Sequence, residues 1–129
     1  MKWVPVKGFE GLYEVNDRGD VKVLQREVRH IAKNTRRVTT ILRKEKILKP
    51  LHDSQGNVHY ILTRRDGTGQ LIKGHHIVAE AFLGYDRNQY KRGNLDSLIV
   101  THINGVHSDN SLKNLEIITL REVYERRKQ

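Results

Sequence analysis

An α+β fold is predicted for this chain, and three stretches predict it. The N-terminus alternates short apolar segments with glycines, the middle holds a hairpin followed at once by residues at helical spacing, and the C-terminus runs strand, loop, strand, helix. The expected arrangement is a small antiparallel β module, a hairpin plus helix, and a C-terminal ββα unit. At 129 residues the chain has the size of one domain with modular parts and a small core. The expected division places the β module and a basic segment in residues 1–50 and the second unit in residues 51–129.

The N-terminal meander rests on Trp3-Val4-Pro5-Val6, then Leu12-Tyr13-Glu14-Val15, then Val21-Lys22-Val23-Leu24, with Gly8, Gly11 and Asn16-Asp17-Arg18-Gly19-Asp20 at the turns. Trp3, Phe9, Leu12 and Tyr13 are expected to be its core rather than a base-stacking platform, because such a module has few other residues to bury. Between Lys22 and Lys49 ten Lys or Arg face two acids, Glu27 and Glu45, and Val38, Ile41 and Leu42 show no long period. A basic, partly mobile segment is expected there.

Val58-His59-Tyr60-Ile61-Leu62-Thr63 and Gln70-Leu71-Ile72-Lys73 flank Arg65-Asp66-Gly67-Thr68-Gly69, and an Asp-Gly pair supplies the positive φ of a tight hairpin turn. A short helix follows, since Ile77, Val78, Ala81 and Phe82 share a face and Gly84 suits its left-handed terminus. Tyr85 to Ser97 reads as a polar connection. Leu98 to Ile103 is a β-branched strand, Asn104 to Asn110 a loop, Leu115 to Thr119 a second strand, and Arg121 to Lys128 a helix.

Composition narrows the partner. A net charge of +9 and a pI near 10.0 favour a polyanion, because each Lys or Arg near a phosphate releases condensed counterions. Double-stranded DNA is the partner expected, with phosphate contacts from Arg26, Arg29, Lys33, Arg36, Arg37, Arg43, Lys44 and Lys46 in the basic segment and from Arg64, Arg65 and Lys73 on the hairpin. A membrane partner is not expected, since no run approaches the roughly 20 apolar residues of a spanning helix. Without cysteine, any metal must be held by oxygen or imidazole. Met1-Lys2-Trp3-Val4-Pro5 lacks the apolar run of a signal peptide, so a cytoplasmic setting is expected, and a monomer is favoured.

Hydrolysis of a phosphodiester requires an activated water and a cation to neutralise developing charge, both held in line with the scissile bond. His102 is the natural general base, because an ordinary imidazole, titrating near ~6.5, is available in its neutral form at physiological pH. His75 and His76, at a helix start, could cap, pack or contact phosphate. His107 and Asp109 are expected to satisfy the backbone of their loop.

At this point the residues resemble a family. Thr101-His102-Ile103-Asn104-Gly105 followed by Asp109-Asn110-Ser111-Leu112-Lys113-Asn114-Leu115-Glu116-Ile117-Ile118-Thr119 is similar to the pattern of phage-type HNH homing endonucleases. Upstream, Gly74-His75-His76-Ile77-Val78-Ala79-Glu80-Ala81-Phe82 resembles the helix that precedes that motif. Gly8-Phe9-Glu10-Gly11-Leu12-Tyr13-Glu14-Val15, with Trp3, Val6, Gly19 and Val21, resembles the nuclease-associated DNA-binding module fused to such enzymes. The resemblance implies a metal-dependent DNA endonuclease that nicks duplex DNA in a bacterial or phage-infected cell, with His102 as base. Asn114 would hold the loop through its amide.

The resemblance also implies a divalent cation, Mg²⁺ or Mn²⁺, and here the sequence departs from it. The family places a carboxylate or amide before the histidine and an Asn or His on the last helix, where this chain has Thr101, Val123 and Arg126. A hydroxyl is a poor ligand for a hard cation and valine is none. Thr101 and Glu122 are the candidate metal ligands, with Glu125 or Asp109 as further sources of a carboxylate. Two readings stay open: a DNA endonuclease, or an HNH-fold DNA-binding protein impaired in catalysis by the loss of its metal ligands. A basic ribonucleoprotein component would fit the charge but gives the His102 to Asn114 spacing no reason.

Overall fold

A computed structural model describes residues 2–128. The N-terminal sheet is built from β1 (Trp3–Pro5), β2 (Tyr13–Asn16) and β3 (Val21–Val23), each antiparallel to the next. Two further strands, β4 (Arg26–Ile31) and β5 (Val38–Arg43), form a separate two-stranded hairpin, after which β6 (Lys46–Ile47) returns to pair with β3. The next sheet holds β7 (Leu51–His52), β8 (Val58–Thr63) and β9 (Gly69–Lys73), and α1 (Gly74–Phe82) follows without a break. A connection with one short 3₁₀ turn leads to β10 (Leu98–His102), which pairs with β11 (Leu115–Thr119) and is followed by α2 (Leu120–Arg127). The α+β architecture of small antiparallel sheets and two helices is therefore the one expected.

Alternation decides which faces are buried. In β8, Val58, Tyr60 and Leu62 point inward while His59 and Ile61 point out, the two-residue period of a half-buried strand. Those residues join Phe9, Val15 and Val21 of the N-terminal sheet, Ile77 and Val78 of α1, and Val100 and Leu115 of the ββα unit in one core. That core takes residues from both sides of position 50. Phe9, Leu12 and Tyr13 are buried in it, as expected, while Trp3 is half-buried with the Lys22 ammonium 4.3 Å from its ring centre.

Helix α1 ends where Gly84 takes φ +69°, a conformation that costs glycine nothing, and the N–H of Leu83 reaches back to the Ala79 carbonyl. Its buried Glu80 would be costly alone. It is paired with Arg87, whose guanidinium and backbone N–H both donate to the carboxylate, tying the connection to the helix. Among the described residues, no helix is long and apolar enough to cross a membrane.

The basic segment departs from expectation. It forms the β4–β5 hairpin, in register from Arg26 with Arg43 to Ile31 with Val38, where no strand was expected. The β-branched residues Val28, Ile31, Val38, Thr39, Thr40 and Ile41 favour strands. No inside–outside alternation marks them because every residue of β5 and the outer half of β4 is exposed.

Candidate active site

Strand β10 carries His102 as its last residue, and the two-residue period sends neighbouring Thr101 to the opposite face. The imidazole Nε2 lies 2.7 Å from Oδ1 of buried Asn110. A carbonyl oxygen only accepts, so this contact suits the tautomer with the proton on Nε2.

The loop that returns from His102 is held by Asn114. Its Oδ1 accepts from the Asn104 N–H at 3.0 Å, and its Nδ2 donates to Asn104 Oδ1 and to the Asp109 carbonyl, each at 2.9 Å. Asn114 is buried and sits in a 3₁₀ turn, Leu112–Asn114, immediately before β11. Asp109 accepts from the Ser111 hydroxyl and N–H and from Asn104 Nδ2, and the Ser111 contact leads in holding its carboxyl below the usual range. The loop is anchored to the N-terminal module as well, by the Leu112 N–H on the Asp17 carbonyl at 2.8 Å.

Three further imidazoles gather near His102. The His75 ring centre is 5.1 Å from that of His102 and 4.5 Å from that of His76, and His107 lies 5.7 Å from His102 on the other side. Burial holds His75 near about 3 and His76 near about 4, so both are neutral at physiological pH. Neither caps α1, since the N-terminus of that helix has no side-chain cap. His107 donates from Nδ1 to the Gln55 carbonyl, which brings the β7–β8 turn to the rim. A cavity of about 330 Å³ opens here, lined by Asn57, Lys73, His75, Val100, Thr101, His102 and His107.

The predicted phosphate contacts divide into groups. Lys73 is at the cavity rim, beside the histidines. Arg29, Lys33, Arg36, Arg37, Arg43 and Lys44 are exposed on the β4–β5 hairpin or its flanks, and Lys46 is exposed in β6. Arg26 sits at the hairpin base, half-buried. Arg64 is engaged within the protein, its guanidinium 4.8 Å over the Phe9 ring and 2.5 Å from Gln70 Oε1, whereas Arg65 is exposed.

A strand ending in an oriented histidine, a loop stapled by asparagine, a return strand and a helix are the parts of a ββα nuclease site. Residues 73–124 match the HNH endonuclease family and residues 1–63 match the NUMOD4 motif. The chain's structure is similar to that of the HNH homing endonuclease I-HmuI, described for DNA binding and cleavage by that protein, with a TM-score of 0.67 at 26% sequence identity. The match covers 99% of this chain and 58% of that one, so the chain spans little more than half the length of that relative. No curated protein matches the chain.

HNH nucleases generally use a divalent metal. The oxygens expected to hold one here are otherwise engaged. Thr101 Oγ1 donates to Glu116 Oε1 at 3.3 Å, and the Arg126 guanidinium bridges Glu116 at 2.6 Å and Glu122 at 3.2 Å. Arg126 holds the Glu116 carboxyl below its usual range. A positive charge thus stands among the very oxygens a cation would need, and Val123 adds no ligand. Among the described residues no group of three or more His, Cys, Asp or Glu is arranged to hold a metal ion. Thr101 and Glu122 are thus both engaged within the protein.

Asn110 is not singled out in the sequence, where its place in the family pattern is its only signal, and His75 is read there as capping, packing or contacting phosphate. His75 reaches His102 from another element, and nothing local in the sequence announces that contact.

Proposed function

We propose that this chain is a DNA endonuclease that hydrolyses a phosphodiester bond of duplex DNA, nicking one strand, with His102 as general base. The observation that carries the reading is the Asn110–His102 contact at 2.7 Å, which leaves His102 Nδ1 as an acceptor beside a cavity rimmed by Lys73. Nδ1 takes a proton from water as the oxygen attacks phosphorus and the P–O bond to the sugar breaks, and the leaving sugar oxygen takes its proton from a solvent water. Lys73 supplies a positive charge for the phosphate. Asn114 keeps the loop, and therefore Asn110, in place. The cations of the β4–β5 hairpin and Arg65 track the DNA backbone.

The second reading is a DNA-binding protein of HNH fold that no longer cleaves, and Arg126 between Glu116 and Glu122 favours it. Supercoiled plasmid, incubated with Mg²⁺, with Mn²⁺ or with chelator, separates the two. The endonuclease reading expects nicked circles from the wild type and a loss of roughly 10²- to 10⁴-fold in His102→Ala, the contribution of a positioned base. Equal nicking by both proteins, or none by either, would sink it.

A further inference from the structure

Asn110 lies where three separate parts of the chain converge. It closes the loop after β10 and is buried, only 5% exposed, although it is polar on every side. Gly19, in the turn after β2, approaches so closely that a Cβ there would stand 2.9 Å from the Asn110 carbonyl oxygen and 3.0 Å from its Cβ. Gly74, the first residue of α1, leaves still less room. A Cβ at Gly74 would lie 2.5 Å from Asn110 Nδ2 and 3.2 Å from Val58 Cγ1.

The Gly19 turn is itself built to a fixed shape. Asn16 is fully buried, and its Oδ1 accepts from the N–H groups of Arg18 and Asp20, both at 3.0 Å. Gly19 takes φ +91°, a conformation L side chains rarely adopt. The Leu112 N–H on the Asp17 carbonyl binds this turn to the segment two residues past Asn110.

We propose that Asn110 is the positioning residue that fixes the tautomer of His102, and that Gly74, against its amide, and Gly19, against its backbone carbonyl and Cβ, hold it there, so that the N-terminal β module helps to position the histidine. The proposal rests on the reading of His102 as general base. Its chemistry needs an oxygen acceptor at this point. Such an acceptor keeps the proton on Nε2 and frees Nδ1; the neutral amide does so without the added pull toward the imidazolium that a carboxylate exerts. The steric part is specific to glycine, because a methyl at Gly74 would meet the side-chain amide, and one at Gly19 the backbone carbonyl and Cβ, of a buried residue.

The test is the ¹⁵N spectrum of the imidazoles in the full chain without DNA, at a pH where the rings are neutral, with the His102 signals assigned by their loss in His102→Ala. The wild type is expected to show the Nε2–H form of His102. Asn110→Ala is expected to give a mixture of tautomers, and Asn110→Asp to restore Nε2–H as the conservative replacement. Gly74→Ala is expected to match Asn110→Ala, although alanine favours a helix more than glycine does and does not touch His102. Nicking by Gly74→Ala is expected to fall roughly tenfold to a hundredfold, within the share a positioned base contributes. An Nδ1–H wild type, or a tautomer unmoved by Asn110→Ala in a folded protein, overturns the proposal whatever the cleavage result. An Nε2–H wild type with no nicking under any condition overturns the cleavage reading and leaves the positioning by Asn110 standing.

Discussion

Replacing Asn114 by alanine removes three hydrogen bonds at once: one accepted from the Asn104 N–H and two donated, to Asn104 Oδ1 and the Asp109 carbonyl. A typical bond of this kind is worth about 1 kcal/mol net, and a buried group left unpaired costs about 1–3 kcal/mol. Asn104 is exposed, so water can reclaim its groups, while the half-buried Asp109 keeps part of the penalty. The balance is a loss of about 2–3 kcal/mol from a total that for a domain of this size is about 5–15 kcal/mol. Urea denaturation at neutral pH measures it directly as a lower midpoint at unchanged slope. Asn114→Asp separates the contacts, since it keeps the acceptor for Asn104 N–H but sets a carboxylate against two oxygens that need a donor; it should cost at least as much as alanine. A loss below about 0.5 kcal/mol for Asn114→Ala would refute the view that this amide holds the loop.

Two other outcomes follow from charge. Burial lowers the pKa of His75 to about 3 and that of His76 to about 4, so their contribution to stability is complete above the ordinary imidazole value and is lost as the pH falls through the range below it. For His75 alone the loss is about 1.4 kcal/mol per pH unit, roughly 3 kcal/mol two units below ~6.5; urea midpoints between pH 7.5 and 4.5 should fall steeply in the wild type and less in His75→Phe, and parallel curves would contradict the assignment. For DNA affinity, Lys33, Arg36 and Arg37 at the exposed tip of the β4–β5 hairpin should each add about one unit to the salt dependence. Changing all three to alanine should make the slope of log K against log salt shallower by roughly 2–3, and an unaltered slope would remove the hairpin from the interface.

The chemistry that was legible in the sequence is local. His102, Asn104, Asp109 and Asn114 fall within one short stretch, so the spacing that closes the loop is written in consecutive text, and the structure joins these residues as that spacing implies. The β8–β9 hairpin and α1 were legible because each buries one face and therefore shows its period. The β4–β5 hairpin escaped for the converse reason: with both faces largely in water, nothing enforces alternation. His75 against His102 and the glycines against Asn110 are contacts between distant segments, which no local pattern encodes. The capture of Glu116 and Glu122 by Arg126 was also out of reach, because the partner of an exposed carboxylate depends on the register between β11 and α2.

The way β4 and β5 leave the N-terminal sheet has a consequence for how such a chain can diverge. Val23 and Lys46, at the two ends of the excursion, are themselves partners across β3 and β6. The hairpin is therefore a side branch whose root is closed by the sheet's own hydrogen bonds. Lengthening, shortening or exchanging the branch leaves the register of β3 with β6 intact, and with it the turn that carries Gly19. Under the proposed function, the surface offered to DNA and the chemistry at His102 would then be able to drift separately: the branch can vary while the glycine turn stays packed on Asn110.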